Sequence, residues 1–154
     1  MKKVFKNGIL LAMMITVAIS GCKTKADVDG KCEGTLVING KSYSITESCM
    51  CVKTDGTVSF IVFQNKDGGV VYVNFAPAVQ LTSKTYTANE IEVVGFPVFG
   101  ESEVDFDEDN VEMAVSVSGK TYDISIIGKT NENEYEYTMT YKGKIRAEKN
   151  LCNH

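Results

Sequence analysis

From Gly34 onward, apolar and polar residues alternate with period two, and short polar turns break the alternation. Leu36-Val37-Ile38 runs into Asn39-Gly40, the dipeptide best suited to a type I′ turn because both central residues take positive φ. The return strand is predicted from Ser42 to about Cys51. Asp55-Gly56 marks the next turn, and 57–64 (TVSFIVFQ) is β-branched and aromatic. Residues 65–69 (NKDGG) turn again and 70–75 (VVYVNF) return. Pro77 is expected to interrupt, and 77–89 is less regular, with a strand around 84–87. Residues 90–96, 111–117, 121–127 and 135–145 complete the set. No helical period lasts beyond a turn or two. The pattern predicts one all-β domain of about eight or nine antiparallel strands, built as a sandwich or a closed barrel.

One stretch recurs. Residues 38–46 (INGKSYSIT) and 117–125 (VSGKTYDIS) share the order apolar, small polar, Gly, Lys, hydroxyl, Tyr, any, Ile, hydroxyl. This reads as one hairpin solution used twice, with Gly at positive φ and Tyr and Ile at i, i+2 on one face.

The first 22 residues follow another logic. Lys2, Lys3 and Lys6 precede an apolar run from Ile9 to Ile19 that is short for a bilayer span. The run ends in Ile19-Ser20-Gly21-Cys22. This start resembles the signal and lipobox of bacterial lipoproteins. The resemblance implies cleavage before Cys22 by a type II signal peptidase and acyl chains, palmitate among them, on Cys22. The expected division is a signal peptide over 1–21, a lipidated Cys and flexible tether over 22–31, and an all-β domain over 32–154. At about 0.8 kcal/mol per buried CH₂, two or three chains hold a domain firmly on a membrane surface. The protein would then be extracytoplasmic. Lys23 replaces the Asp that resembles an inner-membrane retention signal, which points to the outer membrane in a cell that has one. The body is similar to small all-β envelope lipoproteins, some calycin- or lipocalin-like, ending in a Tyr-Lys-Gly-Lys-Ile type strand (141–145).

Cysteine carries the richest chemistry. After Cys22 there remain Cys32, Cys49, Cys51 and Cys152, an even number that in an exported domain reads as two disulfides with three possible connectivities. A two-residue Asn39-Gly40 loop puts Ile38 opposite Lys41 and, by extension, Cys32 opposite Glu47, with Cys49 as diagonal neighbour. A bulge or one-step shift would join Cys32 to Cys49 and leave Cys51 for Cys152. Cys49–Cys51 is disfavoured, since i, i+2 Cβ atoms along a strand lie too far apart. The alternative is a thiolate and imidazole metal site from Cys49, Cys51, Cys152 and His154, the only histidine.

Asp105, Asp107 and Asp109 alternate within the acidic stretch 101–112, resembling the start of a DxDxD calcium loop. Asn110 stands where such loops carry Gly, and Ser116 where they carry Glu. A solvated loop or acidic sheet edge is the simpler expectation. Phe60, Phe63, Tyr72, Phe75, Phe96, Phe99, Met113 and Met139 are expected in the core, and 94–100 (VGFPVFG) as a buried strand end or an apolar lip.

The catalytic inventory is thin. With no mid-chain His there is no Ser–His or Cys–His dyad, and no nucleophile elbow, P-loop or dinucleotide fingerprint occurs. Net charge is −4; without the three leader lysines, 13 Lys and Arg face 20 Asp and Glu, a poor balance for nucleic acid. These readings favour a non-enzymatic, cofactor-free binding or accessory module, with an envelope protein or a small apolar ligand as partner. The competing readings are a structural envelope protein without a ligand site and a carboxylate-based glycan hydrolase. Cys22→Ala tests the anchor: the parent chain should fractionate with membranes and the variant should not. Equal solubility of both would end the lipoprotein reading.

Overall fold

In a computed structural model, residues 33–65, 67–96, 106–131 and 134–148 are described. They form eleven strands and no helix. In chain order these are β1 (Glu33–Ile38), β2 (Lys41–Ile45), β3 (Glu47–Val52), β4 (Val58–Gln64), β5 (Val70–Val79), β6 (Lys84–Thr87), β7 (Ile91–Phe96), β8 (Phe106–Ser118), β9 (Thr121–Thr130), β10 (Glu136–Gly143) and β11 (Arg146–Glu148). Two sheets face each other, ordered β2-β1-β10-β9-β8-β6 and β11-β3-β4-β5-β7. The sandwich expectation holds, and the described residues form no closed barrel. The second sheet is mixed, because β11 runs parallel to β3.

Strands of the first sheet bury alternate residues, as the period-two pattern requires, whereas β3, β4 and β5 of the second sheet bury consecutive residues on both faces. In β10 the pattern is strict: Tyr137, Met139 and Tyr141 face inward while Thr138, Thr140 and Lys142 face water. The inner faces meet in one core built around Leu36, Ile61, Phe63, Val73, Tyr86, Met113, Ile124, Ile126, Met139 and Tyr141. Of the aromatic and methionine residues expected inside, Phe63, Tyr72, Phe75, Met113 and Met139 are buried. Phe60 is half-buried, and the side chains of Phe96 and Phe99 lie outside the described residues.

The first hairpin has the predicted register, with Ile38 opposite Lys41 and Gly34 opposite Ile45. Asn39 and Gly40 both take positive φ, as a type I′ turn demands. The second copy of the repeated stretch folds differently. Ser118 pairs with Thr121, so the loop is Gly119-Lys120, and Gly119 alone carries positive φ. Asn tolerates positive φ where Ser does so at a cost, so the turn slips one residue to put Gly first.

Three further expectations change. The predicted strand from Ser42 to Cys51 divides at Thr46, where the chain leaves the first sheet for the second. Thr46 already donates its N–H to the Gln64 carbonyl at 2.8 Å, a bond to the second sheet. Pro77 does not interrupt: β5 continues through it to Val79, while β7, the neighbour of β5 on that side, pairs only as far as Phe75–Ile91. The acidic stretch is strand from Phe106 on, with a bulge. Phe106 pairs with Thr130 and Val111 with Gly128, so 107–110 lie opposite Lys129 alone.

Tyr141 joins the sheets. Its hydroxyl accepts from Ser48 Oγ of β3 at 2.6 Å and donates to the Lys144 carbonyl at 2.7 Å. Its ring meets Phe63 of β4 at 5.2 Å between centroids. Gly34 lies against it: a Cβ there would stand 3.1 Å from the ring and 2.9 Å from Ile45 Cβ. Tyr137 is the contrasting case. Its ring lies over Gly128, where a Cβ would come 2.6 Å from the phenol oxygen, and reaches Phe106 edge-on at 4.6 Å. Among the described residues its buried hydroxyl has no hydrogen-bond partner. An unmade buried hydrogen bond costs about 1–3 kcal/mol. Tyr141→Phe should therefore lower unfolding free energy by about 1–3 kcal/mol in a urea titration, since it strands Ser48 and the Lys144 carbonyl. Tyr137→Phe should leave it unchanged or raise it; a loss there would contradict this account.

Candidate functional site

The outer face of the first sheet is a lattice of short hydroxyl side chains. Registers across its six strands align Ser44, Thr35, Thr140, Ser125, Ala114 and Thr85 in one row. The next row runs Ser42, Val37, Thr138, Ile127, Glu112 and Thr87. Strands about 4.8 Å apart, with alternate residues about 6.7 Å apart, make such rows a regular grid. Val37 and Ile127 are large apolar residues left 37% and 50% exposed, on either side of Thr138. A third row carries Lys142 and Asp123, whose charged groups stand 3.3 Å apart. The face thus offers hydroxyl donors and acceptors around a small apolar centre, with charge at its margin. The hydroxyls are visible in the sequence strand by strand. Their rows are not, because rows depend on cross-strand register.

The outer face of the second sheet is the opposite kind of surface. Cys49, Val62 and Tyr72 share one row, with Val94 beyond. Cys49, Val62, Val70 and Tyr72 form a cluster separate from the core, with Phe60 and Val94 against it. Burial raises the Tyr72 phenol above its ordinary value of 10. Cys51 lies opposite Phe60, and Ser59 donates to its sulfur at 2.9 Å. On the flank, Arg146 is level with Cys49 and Glu148 with Cys51; Arg146 Nε stands 2.6 Å from Glu148 Oε1. No disulfide is seen between two of the described residues. Cys32, Cys152 and His154 lie outside the described residues, as does Cys22.

The acidic candidate is placed in part. Asp105 lies outside the described residues. Asp107 turns its carboxylate inward on its own bulge, accepting from the Asp109 N–H at 2.9 Å and from the Asn110 side-chain amide at 2.5 Å. The Asn110 bond, then the Asp109 one, holds its pKa below the usual carboxylate range. Both oxygens are thereby committed to the bulge. Among the described residues no three His, Cys, Asp or Glu side chains gather to hold a metal ion.

Two more exposed carboxylates are held low. Asp55 accepts from the Thr57 hydroxyl at 2.7 Å and the Thr57 N–H at 2.9 Å, in that order of effect. Glu90 is bonded to Lys84 Nζ at 2.5 Å and to the Thr87 N–H. Lys84 is raised in turn by that bond, and its ammonium lies 4.4 Å from the Tyr86 ring centroid. The 65–69 turn closes on Asn65, whose Oδ1 accepts from the N–H groups of Asp67 and Gly69.

The pH dependence follows in sign. A carboxylate lower in the folded than the unfolded chain stabilises fully above its unfolded pKa, and that stability goes as pH falls through the folded value. Melting temperature should therefore hold from neutrality down to about the ordinary values of 3.8 and 4.5, then fall. Asp55→Asn, Glu90→Gln and Asp107→Asn together should flatten that acid limb in a thermal melt series. The chain matches no family model, no curated protein and no solved structure among those compared.

Proposed function

We propose that the protein is a lipid-anchored, disulfide-stabilised and non-enzymatic binding or accessory module of the cell envelope. The observation that carries the reading is the order of parts. A Lys-rich start, an apolar run and Ile19-Ser20-Gly21-Cys22 precede a β-sandwich whose first strand begins at Glu33. Cys22 carries the lipid, the residues after it are the tether, and the domain is presented at a membrane surface. A two-layer sandwich supplies a rigid sheet face and two sets of loops, the usual places for binding.

The hydroxyl-rich outer face of the first sheet is the contact surface in this reading. Its short side chains lose little rotamer freedom on contact, and Val37 and Ile127 supply apolar area at its centre. The partner is a polar envelope component, protein or small ligand, that matches donors and acceptors on a flat grid.

Thr138→Lys and Ser125→Lys place charge in the middle of that face without touching the core. Each should leave the melting temperature within about 2 °C of the parent, since exposed substitutions change stability little. Each should reduce recovery of whatever the parent, anchored through Cys22, retains from native envelope extracts, measured by mass spectrometry of proteins and small molecules, by tenfold or more. Equal recovery by parent and variants would remove the face from the proposal.

A further inference from the structure

The first sheet ends in two edge strands, β2 and β6. An edge strand turns alternate N–H and C=O groups away from its one neighbour, where another strand can take them. At β6 the chain closes its own edge. Thr87 donates its N–H to Glu90 Oε2 at 3.3 Å, and its carbonyl accepts from the Glu90 N–H at 2.8 Å. Lys84, at the other end of this short strand, holds the same carboxylate. Among the described residues the β2 edge has no such closure.

The turn decides which groups of β2 look outward. A two-residue hairpin loop is closed by a hydrogen-bonded pair, here Ile38 and Lys41. Lys41, Tyr43 and Ile45 therefore give their main-chain groups to β1, and Ser42 and Ser44 direct theirs away from it. Thr46, next in the same phase, fits this assignment, because its N–H leaves for the Gln64 carbonyl of the second sheet. Ser42 and Ser44 are exposed, and β2 contains no proline. Their N–H and C=O groups stand in a row at the rim of the hydroxyl face.

These groups suit a second β2 in one register. In an antiparallel pair each bonded couple exchanges two hydrogen bonds, so both members must be outward-facing residues. Pairing Ser42 with Ser44 of a second copy, about a two-fold axis at Tyr43, uses every outward group on both sides. A shift by one alternation fails either way. One shift calls on Gly40, which belongs to the turn, and the other on Thr46, whose N–H is already given to Gln64. The surviving register sets Lys41 opposite Ile45 of the second copy, so the like charges stay apart. It sets Tyr43 beside its own copy at a non-hydrogen-bonded site, where facing side chains come closest.

We infer that β2 is a self-association edge, through which two copies join their first sheets about a two-fold axis at Tyr43. An isologous pair of this kind closes on itself. The Ser44 row of one copy then runs into the Ser42 row of the other, and the hydroxyl face is doubled in extent. An interface of one strand pair is small and therefore weak in dilute solution. Anchorage of both copies on one membrane, as the proposed function holds, raises their effective concentration.

The two-fold makes the pairing testable through Tyr43 itself. The full-length chain is produced with export, and isolated membranes are photo-oxidised with a ruthenium trisbipyridyl complex and persulfate, which joins tyrosines in contact as dityrosine. After reduction, cyanogen bromide cuts after methionine. The fragment ending at Met50 carries Tyr43 as its one tyrosine, so that fragment joined to itself arises only between two chains. The expected product is this self-joined fragment, and its absence overturns the inference. Two double variants on the exposed side chains fix the register. Ser42→Lys with Ser44→Lys sets lysine against lysine in both bonded couples and should cut the product at least tenfold. Ser42→Lys with Ser44→Glu sets opposite charges there and should hold it at the parent level or above. Equal yields from the two variants overturn the inference. The fragment mass also reports acyl groups on Cys22, so loss of the anchor and loss of the pairing are read separately.

Discussion

The sandwich is closed at one corner by the Tyr141 hydroxyl. It accepts from Ser48 of the second sheet and donates to the Lys144 carbonyl, at the point where β10 turns toward β11. A buried phenol, a buried serine hydroxyl and the Lys144 carbonyl satisfy one another where the chain crosses from one sheet to the other. Such a set is worth more than the mean hydrogen bond, because each member removed leaves another unpaired in low dielectric. Gly34 is the condition for it. Only a residue without Cβ lets β1 pass against the Tyr141 ring and Ile45 while both neighbouring strands bend away.

From that corner the two outer faces acquire different characters. Where β1 ends, β3 and β11 close up, and the second sheet gains a flank that runs parallel. Its outward side carries apolar residues and both described cysteines. The first sheet keeps six strands whose outward side is hydroxyl and charge. The asymmetry has a physical origin. A sheet face can carry unpaired hydroxyls in water at no cost, while a run such as Cys49, Val62 and Tyr72 gains by being covered.

The acidic stretch and Tyr137 illustrate local chemistry subordinated to packing. Asp107 looks like a cation ligand by spacing. In the fold its oxygens close a bulge, accepting from Asp109 and Asn110. The bulge takes up the extra residues between Phe106 and Val111, and so lets Phe106 reach the Tyr137 ring. Tyr137 gains that edge-on contact and deep burial over Gly128, and its hydroxyl finds no partner among the described residues.

By itself the sequence determined what depends on neighbours along the chain. Period-two alternation set which face of strands such as β10 is buried, Asn39-Gly40 set the first hairpin and its register, and the 65–69 turn closed where Asn65 and two glycines stand. The Ile19-Ser20-Gly21-Cys22 stretch that resembles a lipobox is likewise contiguous. Tertiary structure decided what depends on distant partners. Residues 42–51 read as one strand, yet Thr46 moves between sheets because the Gln64 carbonyl takes its N–H. Pro77 reads as a break but sits in β5 beyond the end of its pairing with β7. The parallel β11 has no local signature, since parallel pairing joins segments almost a hundred residues apart. The candidate face divides in the same way. Its hydroxyls were legible as the polar half of each alternation, but the rows that make them a surface exist only through registers between β1, β10, β9 and β8. Cysteine count and parity were legible as well; that two of them share the outward side of β3 beside the parallel β11 is a product of the fold. Local pattern specifies orientation and turn chemistry, while sheet membership is settled by long-range hydrogen bonds and core packing that no sequence window contains.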